Sequence, residues 1–221
     1  MDAPERAAAL RAVAVEAAGC VRCALAEGRT AVVFGEGDPD AELALVGEAP
    51  GFHEDREGTP FAGRSRELLA RLLAGIGLGL EDVYLATVLK CRAPANRDPS
   101  PEETAACEPY LYRQLELVRP AVVASLGSFA TTLLSGRALG ITRVHGQEQD
   151  VTLGGRRVTL VPLYHPAAAL YTPTMLEVLE RDVRRLGEIL GRPSEATARP
   201  EPAPLVVERP VAREPAQLGL F

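Results

Sequence analysis

The residues able to do chemistry in this 221-residue chain are few: four cysteines, three histidines and a glutamate set in a tight turn. Cys20 and Cys23 form a Cys-x-x-Cys pair; Cys91 and Cys107 follow much later, with fifteen residues between them. In a reducing cytosol such cysteines stay unpaired, and a Cys-x-x-Cys with two distant partners suggests a four-thiolate metal site. The second spacing does not fit a two-knuckle zinc pattern. Scattered thiolates suit an iron–sulfur cluster and are also tolerated by zinc; unligated buried cysteines are the ordinary alternative. Glu48 sits in Val46-Gly47-Glu48-Ala49-Pro50-Gly51, directly after the apolar run Leu43–Val46. Two glycines and a proline let the backbone come close to a ligand there, and Glu48 adds one carboxylate. His165 closes another apolar run, Val161-Pro162-Leu163-Tyr164.

These residues need elements to hold them. Residues 4–18 read as a helix ended by Gly19, and Leu43–Gly47 as a strand followed by a polar loop, Phe52–Pro60. Apolar positions at Leu68, Leu69, Leu72, Leu73 and Ile76 mark a helix over 64–76. Val83–Leu89 reads as a second strand running into Lys90-Cys91-Arg92. Ser100-Pro101 with Glu103 is a capping box with an N1 proline, opening a helix that carries Cys107 and runs to about Val118. A strand over 121–126, a short helix over 129–134, a hairpin over 142–163 around Gly154-Gly155 and a helix over 174–190 follow. Strand and helix alternate with short connections, so the expected fold is a three-layer α/β/α domain whose mainly parallel sheet has four strands. In such sheets ligands bind beyond the carboxyl ends of the strands, where Glu48, Thr87 and His165 all fall.

Composition sets limits. Hydrophobic residues make up 47% of the chain, enough for a core, and no apolar run approaches a membrane span. The N-terminus lacks a signal-peptide pattern, so a cytoplasmic, monomeric protein without membrane partners is expected. The net charge of −6 provides no global field for nucleic acid, which leaves only a local patch. From Pro193 on, six of 29 residues are proline without apolar periodicity, the pattern of a disordered linker. Residues 1–192 are therefore expected to form the catalytic domain, 193–216 a linker, and 217–221 an apolar terminal peptide.

Taken together, Cys20-x-x-Cys23, Gly47-Glu48-Ala49-Pro50-Gly51, Gly58-Thr59-Pro60-Phe61-Ala62-Gly63, Lys90-Cys91-Arg92, Asn96-Arg97, Cys107 and His165-Pro166 resemble the family 4 uracil-DNA glycosylases, the thermostable iron–sulfur type, in its bacterial form. The motifs occur in family order over roughly residues 15–190. The resemblance implies excision of uracil from single- and double-stranded DNA to start base excision repair, with a [4Fe-4S] cluster on Cys20, Cys23, Cys91 and Cys107. The spread of those cysteines along the chain suggests a structural clip, and no residue pattern forbids a charge-transfer role. It also implies catalytic roles for Glu48 and His165. Base contacts would come from Gly47, Ala49, Pro50, Gly51 and Phe61, the last by stacking.

Breaking the glycosidic bond sends charge onto the uracil oxygen, so His165 works best as a neutral donor. Leu170 is the expected apolar wedge. The family usually carries Asn at the position of Thr87, and a hydroxyl cannot read two base-edge atoms as an amide does. Weaker turnover, or in the limit a uracil-DNA sensor, is the consequence to be tested. Relatives that trap uracil-DNA covalently carry a basic loop with a histidine after the third cysteine. Residues 92–100 have no histidine, so turnover without an adduct is expected. The end of the chain, Gln217-Leu218-Gly219-Leu220-Phe221, resembles the bacterial sliding-clamp-binding peptide, which implies docking through Gln217, Leu218, Leu220 and Phe221.

Overall fold

The computed structural model describes residues 1–191, so the linker and terminal peptide expected beyond them lie outside the described residues. Six strands are present: β1 (Glu36–Gly37), β2 (Leu43–Gly47), β3 (Tyr84–Thr87), β4 (Val122–Leu126), β5 (Gln149–Leu153) and β6 (Arg156–Leu163). They form one sheet in the order β1-β3-β2-β4-β6-β5. β3, β2, β4 and β6 are mutually parallel, and β1 and β5 add antiparallel edges. The expected four-stranded sheet is thus the inner part of a six-stranded one. The two-residue β1 is too short to leave a period-2 pattern, and β5 is the outer arm of the Gly154-Gly155 hairpin. That hairpin starts later than expected, because residues 141–144 are helical.

The helices are α1 (Ala3–Ala18), α2 (Leu25–Gly28), α3 (Phe52–Glu57), α4 (Gly63–Ala74), α5 (Pro101–Val118), α6 (Ser128–Ser135), α7 (Ile141–Val144), α8 (Pro166–Ala169) and α9 (Pro173–Ile189). Every residue of β2 and β4 is buried, as expected of strands covered on both faces. Alternate side chains serve opposite layers. Ala44 and Val46 meet α1, α5 and α6 on one side. Leu43 and Leu45 meet α4 and α9 on the other.

One correction bears on the site. The expected polar loop over 52–60 contains α3. Asp55 explains the helix. It is buried, and both its carboxylate oxygens accept from the backbone N–H of Thr30, at 2.9 and 3.1 Å. Gly58, at φ 74°, stops the helix by donating its N–H to the Glu54 carbonyl.

The capping box of α5 is present as read. Ser100 Oγ accepts from Glu103 N–H at 3.2 Å, and Glu103 returns the bond to Ser100 N–H at 2.8 Å. Arg97 clamps the same carboxylate at 2.7 and 2.8 Å, and this hydrogen bonding holds the Glu103 carboxyl down to about 2. Ser100→Ala is expected to lower unfolding stability by about 1 kcal/mol, measured by denaturant melts. The folded-state pKa of Glu103 lies below its ordinary 4.5, so its contribution is complete above that value and fades as pH falls toward 2. The stability gap between the parent and Glu103→Gln should be wide at pH 6 and nearly closed near pH 2.

Candidate active site

A cavity of about 490 Å³ opens at the carboxyl ends of β2, β3 and β6, a volume typical of small-ligand sites. Phe61, Thr87 and His165 line it, with Ala49 and Gly51 from the turn after β2 and Leu170 from the end of α8. The Phe61 ring lies 5.8 Å from that of His165 at a 31° tilt. Phe61 is buried and has φ 56°, a left-handed backbone that costs a bulky residue about 1–2 kcal/mol. Gly47 makes room for it: a Cβ there would stand 3.1 Å from Phe61 Cζ and 3.5 Å from Thr87 Cγ2.

The hydrogen bonds define what each wall offers. His165 caps α8, and its Nδ1 accepts the backbone N–H of Ala167 at 3.2 Å. An accepting Nδ1 assigns the ring proton to Nε2 and excludes the imidazolium. Burial acts in the same direction and lowers the His165 pKa below 6.5, with the Glu54 carboxylate opposing it. The ring is therefore a neutral donor. Thr87 is buried, and its hydroxyl donates to the Leu89 carbonyl at 2.7 Å. That proton is committed, so the oxygen retains only acceptor capacity toward the cavity. Glu48 is half-buried just past β2, and its carbonyl accepts from Leu89 N–H at 3.0 Å. Desolvation, then the nearby Asp98 charge, raises its pKa above 4.5.

The structure thus brings together Phe61, Thr87, His165, Ala49, Gly51 and Leu170 from the sequence-derived set. Gly47 sits behind Phe61, Pro50 is buried in the turn, and Glu48 stands between the two without lining the cavity. The sequence reading missed His53 and Glu54, which also line it. Glu54 Oε1 accepts from Ala62 N–H at 2.8 Å and so ties α3 to the Phe61 loop. A visible signal was Gly58 following an acidic first turn and Arg56. A larger open groove of about 820 Å³ runs along α9. In it His145 Nδ1 meets Asp182 Oδ2 at 2.6 Å, and Tyr164 packs on the imidazole at 4.9 Å, bracing the residue before His165.

The four cysteines line a second cavity, together with Arg29, Lys90 and Tyr110. Among the described residues no three Cys, His, Asp or Glu side chains stand close enough to hold a single metal ion. Four cysteine sulfurs around one space are the donor set that an iron–sulfur cluster uses. The charges agree: among the described residues the cavity is bordered by three basic side chains, Arg22, Arg29 and Lys90, and by no carboxylate. Arg29 Nη1 donates to Cys91 Sγ at 3.5 Å and Lys90 N–H to Cys107 Sγ at 3.2 Å. Burial pushes the Cys107 thiol up to about 11 and raises Cys91 as well, so a bound group must displace their protons.

A model described as the uracil DNA glycosylase superfamily matches residues 34–186. The chain belongs to the uracil-DNA glycosylase superfamily. Within it, the chain is 45% identical over 181 residues to the type-4 uracil-DNA glycosylase of Archaeoglobus fulgidus, covering 80% of this chain and 91% of that one. It is 42% identical to the type-4 enzyme of Saccharolobus solfataricus (81% and 85% covered) and 45% identical to that of Thermotoga maritima (68% and 78% covered).

In a glycosylase pocket the committed Thr87 proton has a measurable effect. Thr87→Asn adds a donor beside an acceptor. One added hydrogen bond is worth roughly 1–1.5 kcal/mol, so single-turnover uracil excision should rise about tenfold. A variant no faster and no more selective for uracil than the parent would count against this account.

Proposed function

We propose that this protein hydrolyses the N-glycosidic bond of uracil in DNA as a monofunctional glycosylase acting in the cytoplasm. The observation that carries the reading is His165, its Nδ1 accepting from Ala167 N–H and its ring beside Phe61, in the cavity at the strand ends. The target nucleotide is extruded from the helix, its base enters the cavity, and Leu170 fills the vacated space. Phe61 stacks on the uracil, Ala49 and Gly51 of the turn after β2 face its edge, and Gly47 and Pro50 shape that turn from behind. The C1′–N1 bond breaks and its electron pair passes into the uracil ring. His165 Nε2–H donates to the oxygen where that charge gathers. The half-buried Glu48 orients the water whose oxygen bonds C1′, and it accepts the water proton.

The lysine content supports hydrolysis without a covalent adduct. Lys90 is the only lysine, and its ammonium is held by the Thr87 carbonyl and by Gln114 Oε1, both at 2.6 Å. It is not available as the amine a Schiff base requires.

We assign the cysteine cavity to a [4Fe-4S] cluster on Cys20, Cys23, Cys91 and Cys107. When bound, the cluster supplies a rigid cross-link between the α1–α2 turn, the exit of β3 and α5; no step of excision passes through it. The terminal Gln217, Leu218, Leu220 and Phe221 are proposed to dock on the replication sliding clamp. Removal of residues 217–221 should abolish capture by the clamp while cleavage of short oligonucleotides continues.

The central test is release of free uracil from single- and double-stranded oligonucleotides, followed by chromatography. His165→Ala should slow single-turnover release about 10²–10³-fold, the usual effect of removing one donor to a developing oxyanion. Burial lowers the His165 pKa below 6.5 and raises that of Glu48 above 4.5. Both groups reach their working forms as pH rises, so kcat/KM should fall on the acid side, at a pH above the ordinary 4.5 of a glutamate. Tight binding of uracil-DNA without release would instead make the protein a sensor, and stoichiometric zinc in place of iron would overturn the cluster assignment.

A further inference from the structure

Five large apolar side chains are exposed among the described residues: Met1, Val15, Val21, Phe52 and Tyr171. Of the two aromatic ones, Tyr171 lines the base cavity and Phe52 lies between two residues that line it. Phe52 is 47% exposed and opens α3 between Gly51 and His53, which line that cavity. Tyr171 is 77% exposed and lines it directly. Each ring carries guanidinium groups. Arg56 Cζ lies 5.5 Å and Arg92 Cζ 5.2 Å from the Phe52 ring centroid, and Arg64 Cζ lies 5.7 Å from that of Tyr171.

The Phe52 cluster is built to stay in place. His53 meets the Phe52 ring edge-on at 5.5 Å. Arg92 Nε donates to Asn96 Oδ1 at 2.8 Å, which fixes its fork. Among the described residues neither Arg56 nor Arg92 has a carboxylate within 4.0 Å, whereas Arg22 and Arg113 share Glu16. In a chain of net charge −6, a half-exposed phenyl ring carrying two unneutralised guanidiniums, set between two cavity-lining residues, has the makings of a single-strand contact. Successive bases stack on aromatic faces, and arginines take the phosphates.

We propose that Phe52, with Arg56 and Arg92, is a stacking platform for an unpaired base next to the extruded nucleotide, which strengthens binding to single-stranded uracil-DNA. The inference rests on the reading that the cavity receives a uracil extruded from DNA. A base in a duplex is already stacked on both neighbours and gains little from a ring offered at its side. A base in a single strand is free to move onto it. The platform therefore favours single strands, and the arginines add a salt-sensitive share common to both forms.

The test is binding of the full-length protein to a short oligonucleotide carrying a stable abasic-site analogue, single-stranded and duplex, by fluorescence anisotropy. Stacking of one base is worth roughly 1–3 kcal/mol. Phe52→Ala should therefore weaken single-strand binding about tenfold or more and duplex binding less than threefold. Phe52→Trp should retain single-strand affinity. A 2-aminopurine placed beside a uracil should be quenched by the parent and by Phe52→Trp, and not by Phe52→Ala.

Equal losses on both DNA forms, or unchanged affinity and quenching in Phe52→Ala, overturn the platform. If the parent releases uracil and Phe52→Ala behaves like it, only the platform fails. If the parent releases no uracil from either DNA form, the glycosylase reading fails instead.

Discussion

Lys90 is 2% exposed, and its ammonium has no carboxylate partner among the described residues. Burying a charge this way costs several kcal/mol unless its donors are satisfied. Its donors meet the Thr87 carbonyl and Gln114 Oε1, with the Phe34 ring 5.8 Å away. Gln114 in turn donates to the Phe34 carbonyl at 2.8 Å and the Tyr84 hydroxyl at 2.9 Å. Burial lowers the Lys90 pKa to about 7, against the pull of Cys107 and Cys91, which favour its charged form. The group thus sits between a wall of the base cavity, the center of α5 and the cysteines, and every part of the network is satisfied through its neighbor. Truncating Lys90 would leave the acceptors Thr87 O and Gln114 Oε1 unpaired in the core, a cost that falls on both cavities at once.

The base cavity follows from the same economy of position. Parallel strands end together, so β2, β3 and β6 deliver the turn after Gly47, Thr87 and His165 to one place. Local conformation then sharpens what topology brings near. The left-handed Phe61 backbone would relax if it could, but Gly47 behind its ring and the Glu54–Ala62 hydrogen bond beside it leave no other seat. The single bond from Ala167 N–H does comparable work electronically, because it decides which nitrogen of His165 carries the proton.

Much of this was readable from sequence because it depends on period and punctuation. The all-apolar β2 and β4, the α4 stripe and the Ser100–Glu103 box each leave a local mark, and all are present. α3 was lost because its stability is not local: it depends on buried Asp55 binding a backbone N–H twenty-five residues earlier. The edge strand β1 was lost for the opposite reason, since two residues carry no period. At the site, motif residues could be placed at strand ends, but not the direction of a hydroxyl. That Thr87 spends its proton on Leu89 depends on how β3 ends. The engagement of Lys90 was equally hidden, since nothing in Lys-Cys-Arg shows that its first residue turns inward.

The cysteine cavity has a consequence for the chain as a polymer. Its four sulfurs come from the turn after α1, the exit of β3 and the interior of α5. The stretch between Cys23 and Cys91 holds β1, β2, α3, α4 and β3, half of the sheet with its switch of direction. A tie across those ends closes a long loop, and closing a loop removes freedom from the unfolded chain rather than adding contacts to the folded one. α1 buries only Leu10, Val13 and Ala17, too little apolar surface to hold a sixteen-residue helix firmly by itself. With the proposed cluster in place its escape would be short-ranged, and the first half of the molecule would loosen as a unit.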